Sequence, residues 1–147
     1  MENQPFAMTP KEYEPALNVM GDKINALATL RSTGTYAITL VQGQEGNGPP
    51  PHTHPWNESF FVTRGNVEFM SAGTNTSAVP GTLVHFPAGT VHSFRFCAGG
   101  ADVLEITGTG SPAVEMFTDL DREIPSGPTD IPKTMEILER HGVTMAE

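Results

Sequence analysis

Between residues 23 and 107, short runs rich in β-branched and aromatic residues alternate with clusters of glycine and proline. Such punctuation predicts strands at 23–30, 36–41, 59–63, 67–71, 83–86, 91–96 and 102–107. The intervening turns carry Gly34, residues 43–48, Arg64-Gly65-Asn66, residues 73–75, Pro80-Gly81, residues 87–89 and Gly99-Gly100. Seven short strands at this spacing fit an all-β jelly-roll barrel of about 21–107.

The ends read differently. Residues 1–20 form an N-terminal arm in which Thr9-Pro10-Lys11-Glu12 has the pattern of a capping box, and Pro15 limits any helix there to about one turn. Residues 108–147 hold a linker and a short C-terminal helix. That helix is capped by Asp130, runs to about His141 and stops at Gly142, with Ile131, Met135 and Leu138 on its apolar stripe. Residues 119–128 contain two prolines and no clear period, which reads as an ordered linker. His141 is expected to complement the helix dipole from an exposed position.

Length and charge narrow the function. At 147 residues the chain forms a single domain, 1–147, able to bury a core without disulfide staples. A formal charge of −9 argues against a nucleic-acid partner and against an anionic membrane surface, since both require clustered positive charge. One cysteine, Cys97, and a start without a basic and apolar leader fit a cytoplasmic protein.

The stretch "HTHPWNE" holds the candidate chemistry. In an extended segment His52 and His54 point the same way, and Thr53 points away. A turn through Pro55-Trp56-Asn57 then lets Glu58 swing back toward them. Two imidazoles and a carboxylate cover one face of a metal and leave positions for substrate and water; His92 adds a third imidazole. On its own, an H-x-H pair in a proline-rich loop is more often a surface accident than a metal site.

Spacing changes that balance. Gly46, five residues, His52-x-His54, three residues, Glu58, six residues and Gly65 reproduce the first cupin motif. Gly81, Pro87, Gly89 and His92 reproduce the second, except that Phe96 stands where the motif has asparagine. The chain thus resembles a single-domain cupin. Its flanks, "MGDKINALATLRSTGTYAITLVQ" and "MEILERHGV", are similar to small quercetin 2,3-dioxygenase-like cupins. The resemblance implies a jelly-roll barrel with one divalent transition metal ion per chain, Fe, Mn, Ni or Zn, held by His52, His54, Glu58 and His92. It also implies a homodimer formed through sheet edges or exchanged terminal strands.

Alternation along the strands then suggests a small-molecule pocket. If His92 and Glu58 face inward, so do Phe94, Phe96, Phe60 and Val62, joined by Phe69 and Leu83. His85 alternates with Leu83 and is expected on the same inward face, as a proton shuttle or a structural histidine. Trp56 either walls the pocket mouth or packs over the ligand turn. The same phenylalanines would also serve as plain core. Three functions follow: an oxygenase acting on a small aromatic, enol or diketone substrate with Glu58 as ligand or catalytic base; a non-redox isomerase, lyase or cyclase; or a non-catalytic binder.

Overall fold

The computed structural model describes residues 3–124 and 130–146. Among the described residues nine strands build one all-β framework: β1 (Leu17–Val19), β2 (Asp22–Ala28), β3 (Ala37–Gly43), β4 (His52–Thr53), β5 (Glu58–Ser71), β6 (Thr74–Ala78), β7 (Leu83–Phe86), β8 (His92–Thr107) and β9 (Thr144–Met145). Every pairing is antiparallel, along β1-β2-β3-β8-β4-β9, with β5 joined to β6, β7 and β8.

Two strands predicted in pieces are continuous. The 59–63 and 67–71 segments merge into β5, and the 91–96 and 102–107 segments merge into β8. Gly65 and Gly100 therefore bend strands, and the chain-reversing turn expected at Arg64-Gly65-Asn66 does not form. Both have positive φ, +73°, and a Cβ on Gly65 would lie 2.2 Å from Gly100 O. Only glycine lets the backbones pass so closely at this corner. The β5–β8 ladder shifts register on either side of it, so Glu58, Phe60 and Val62 face inward before the bend and Val67 and Phe69 after it.

On β8 the inward set likewise changes from His92, Phe94 and Phe96 to Ala101, Val103, Glu105 and Thr107. The two halves line opposite walls. Gly43, paired with Ala101 on one wall, has its missing Cβ position 2.2 Å from the Phe96 ring of the other. Phe96, in the motif's asparagine place, thus seals the barrel floor together with Val67 and Ala101.

Strands β1, β6 and β9 and one short helix escaped the sequence reading. β1 lies in the expected arm, which also carries one helical turn at Pro10–Glu12. β6, sequence TNTSA, is a mostly exposed edge strand and so lacks an apolar signature. Helix α1 (Leu30–Thr33) sits between β2 and β3.

The C-terminal region needs the larger correction. Helix α2 (Ala113–Glu123) occupies the first part of the expected linker, and residues 125–128 of that linker lie outside the described residues. Its buried positions, Ala113, Met116, Phe117 and Leu120, recur at the helical period and dock on the β1 end of the sheet. Helix α3 (Ile131–Arg140) is capped as read, with Asp130 Oδ1 accepting from Lys133 N at 3.0 Å. Its apolar stripe is not. Ile131 and Met135 are exposed, whereas Thr134 and Ile137 are buried, because the side facing α2 is rotated by about a residue from the expected one. His141 is likewise not exposed; it bonds Asp119 Oδ2 on α2 at 2.7 Å. Among the described residues no helix is long and apolar enough to cross a membrane.

Candidate metal centre

His52, His54 and His92 converge although they come from two separate stretches of chain. β4 lies against the start of β8, so His52 and His92 are direct cross-strand partners. His54 follows on a short turn whose Pro87-x-Gly89 neighbour is tied to it twice: Gly89 N donates to His54 O at 2.9 Å, and Ala88 N donates to Asn57 Oδ1 at 2.9 Å. Asn57 thereby joins the two motifs. The sequence reading gave it no such role, since its partner is 31 residues away.

One nitrogen from each histidine lies within 4.8 Å of the other two, and all three residues are buried. Each Nδ1 faces a backbone carbonyl: His52 to Pro50 O at 2.9 Å, His54 to Trp56 O at 3.0 Å and His92 to Thr90 O at 2.8 Å. A carbonyl can only accept, so Nδ1 carries the hydrogen and Nε2 is left to the centre of the cluster. Glu58 Oε2 lies 2.6 Å from His54 Nε2 and 3.1 Å from His92 Nε2. A neutral imidazole has one N–H, already spent on its carbonyl. The carboxylate contacts therefore require a cation in this space, either an added proton on the ring or a metal ion. Four such donor groups fit a divalent metal.

The electrostatics agree with that fit. Burial opposes a charge on Glu58, but hydrogen bonds from His54 and His92 outweigh it and bring its pKa down to about 2. Burial also lowers the pKa of His52, with further opposition from His92. For His92 the burial cost is overcome by its bond to Glu58, and the pKa rises.

Aromatic rings hold the cluster. Trp56 is buried and stacks on His54 at 4.2 Å with an interplanar angle of 5°; it packs over the ligand turn beneath Gly142 rather than standing open at a mouth. Phe86 stacks on His92 at 4.5 Å. Of the expected pocket residues, Phe60, Val62, Phe69 and Phe96 are inward and packed as core, while Phe94 is inward and half-buried. Leu83 and His85 are corrections. Leu83 is 61% exposed, and His85 is exposed with its Nδ1 bonded to Ser59 Oγ at 2.8 Å. β7 pairs Phe86 with Glu58 and Val84 with Phe60, so Val84 and Phe86 share the inward face and their alternates must point out.

Glu105 was also missed. Its inward direction depends on the parity change at Gly100, which alternation counted from His92 cannot reveal. Burial, then the charge of Glu58, push its carboxyl well above the usual range. Two clefts lie elsewhere, one of about 380 Å³ around Arg64 and Asp102 and one of about 450 Å³ between the N-terminal arm and β2. Neither includes a residue of the histidine cluster, and the donor chemistry rather than cleft size locates the candidate site.

A family model described as a cupin domain matches residues 39–106. Quercetin 2,3-dioxygenase of Bacillus subtilis (strain 168) is 28% identical over 94 residues, which is 62% of this chain and 27% of that protein. The chain thus matches about a quarter of its relative's length. Among solved structures, an RmlC-like cupin from Shewanella frigidimarina aligns with a TM-score of 0.63 and 15% identity, over 74% of this chain and 94% of that one. KdgF from Halomonas sp. aligns with a TM-score of 0.61 and 19% identity, over 68% and 89%. At these identities the structural likenesses speak for the fold.

Proposed function

This chain has the cupin fold, and on that premise we propose that it is a metal-dependent oxygenase acting on a small aromatic, enol or diketone substrate at a three-histidine, one-glutamate centre. The observation that carries this reading is the arrangement of buried imidazoles: every Nδ1 is committed to a carbonyl and every Nε2 is left for a cation beside Glu58. A divalent metal held there would supply a Lewis acid and, with a redox-active ion, a path to dioxygen chemistry. The partial match to a quercetin 2,3-dioxygenase supports the oxygenase branch.

The chain's own contribution is largely preorganisation. Carbonyl bonds fix the ring tautomers, Trp56 and Phe86 fix the ring planes, and the sealed floor beneath Phe96 excludes water from below. Glu58 is positioned to take a proton from an acidic substrate hydroxyl or enol, and its low pKa keeps it in the basic form at neutral pH. A homodimer, in keeping with the resemblance, belongs to the same proposal, and sedimentation of the full chain tests it.

The decisive experiment compares wild type with His54→Ala for bound metal by elemental analysis, and for oxygen uptake and product mass with quercetin. We expect His54→Ala to fold, lose stoichiometric metal and lose turnover. Full activity in that variant would sink the proposal. Turnover without oxygen uptake would replace the oxygenase with a non-redox isomerase or lyase.

A further inference from the structure

The stretch leading into the first two histidines is poorly equipped to hold itself. Pro49-Pro50-Pro51 carries no backbone N–H, so it can be bonded only through its carbonyls. Pro50 O fixes the His52 tautomer by accepting from Nδ1 at 2.9 Å, and Pro51 O accepts from Ala146 N at 3.0 Å. Strand β4 meets β8 at one position, His52 with His92. It meets β9 at two, His52 with Met145 and Thr53 with Thr144. The strand that carries His52 is therefore gripped from both sides, and one side is C-terminal.

His54 is reached from the same segment. Trp56 stacks on its ring and supplies the carbonyl that its Nδ1 faces, and a Cβ on Gly142 would lie 3.5 Å from Trp56 Cζ3. The Gly142 backbone thus rests on the indole. Its φ of +89° suits glycine and turns the chain out of α3 toward β9. His92, by contrast, takes its tautomer from Thr90 O and its stacking from Phe86, groups outside this segment.

This is an anchored piece of chain. Ile137 of α3 is fully buried, His141 is tied to Asp119 of α2 at 2.7 Å, and buried Val143 donates its N–H to Leu138 O at 3.0 Å. Yet β9 itself adds little to the core, since Thr144 is exposed and Met145 half-buried. Among the described residues its ladder partner is β4, the strand that carries His52. Such placement serves orientation more than burial.

We infer that residues 142–146 form a positioning clamp for two of the three histidines, aiming His52 through Pro51 and His54 through Trp56. The inference deepens the three-histidine, one-glutamate reading and rests on it for the clamp's purpose, although the ring positions can be measured without metal. By ladder alternation the Thr144 N–H points to β4 as the Ala146 N–H does, so proline at either place removes a bond to the ligand strand.

The test compares wild type with Ala146→Pro, Thr144→Pro, Thr144→Val and Gly142→Ala in the full chain. Zinc(II) is titrated in competition with a chromogenic chelator, and the histidine ring signals are followed by NMR after chelator treatment. We expect Ala146→Pro to weaken zinc roughly 2–10-fold, as for one lost hydrogen bond, and Thr144→Pro about 10-fold, as for lost support of a ligand. Thr144→Val keeps the N–H and should match wild type. In the metal-free proline variants the His52 signals should move more than those of His92. Gly142→Ala should shift the His54 signals and the emission of Trp56, the one tryptophan of the chain. Ala146→Pro leaves the core untouched, so the test stands even where Thr144→Pro does not fold. Unchanged zinc affinity or unchanged His52 signals in the folded proline variants would overturn the clamp. Shifts at His92 as large as those at His52 would overturn it too, because they mark a loosened barrel. Absence of zinc binding by wild type, with the expected ring shifts, would instead overturn the metal centre and leave the clamp standing.

Discussion

The two halves of β8 line opposite walls of one barrel and treat their polar groups in opposite ways. On the first half, His92 has both ring nitrogens engaged, with Thr90 O and Glu58, and Phe86 stacked on its face. On the second half, Thr107 and Glu105 have no hydrogen-bond partner among the described residues. The contrast extends to the two glutamates: hydrogen bonds pull Glu58 down to about 2, whereas burial and the Glu58 charge push Glu105 up. A wall whose bonds are complete is preorganised for a cation. A wall whose bonds are missing costs stability.

The largest expected effect breaks the rigid wall. Phe86→Ala removes the ring on His92 and its packing on Phe60 and Phe69, which should cost about 3–5 kcal/mol of stability. Metal affinity should also fall ~10–100-fold, the usual effect of disturbing groups that orient ligands. Urea denaturation and a metal titration measure the two. Unchanged affinity would mean that the carbonyl bonds alone hold His92.

A smaller effect, of opposite sign, is expected on the wall whose bonds are missing. The folded state raises the pKa of Glu105 above its ordinary value of 4.5. Its contribution to stability is therefore complete below that value and is lost as pH rises through the folded pKa. Glu105→Gln should leave Tm nearly unchanged at pH 4 and raise it at pH 7 by ~4 °C, about what 1 kcal/mol produces in a domain of this size. Equal Tm differences at the two pH values would remove the electrostatic half of the comparison. The smallest effect sharpens the boundary of both walls: Leu83→Ser, on the outer face, should change stability by no more than about 0.5 kcal/mol and leave metal binding intact. A thermal melt showing a loss above ~1.5 kcal/mol would return Leu83 to the interior.

Legibility in the sequence followed the range of the interaction. The spacing from Gly46 to Gly65 and from Gly81 to His92 was enough to pick out the four groups that the fold brings together. Asp130 as a helix cap was readable because cap and helix are adjacent. Helix α2 was readable in principle, since Ala113, Met116, Phe117 and Leu120 keep a helical period, but the prolines after it drew attention to a linker. Leu83 and His85 were misplaced because a strand has two equivalent faces until it is paired, and the pairing with Glu58 and Phe60 lies some 25 residues away in the chain.

The order of residues along the chain sets the local chemistry and its spacing: which side chains can bind a metal, where glycines permit sharp bends, and that the middle of the chain is β. Direction is set by the fold. Gly65 and Gly100 bend two long strands instead of ending them, and the register shifts there exchange the inward and outward sets. That exchange sends Glu105 and Thr107 into the barrel beside Glu58, and no periodicity counted along the chain survives it. The reason is physical: a strand's alternation is a local rule, but its phase is set by hydrogen bonds to strands that are distant in sequence.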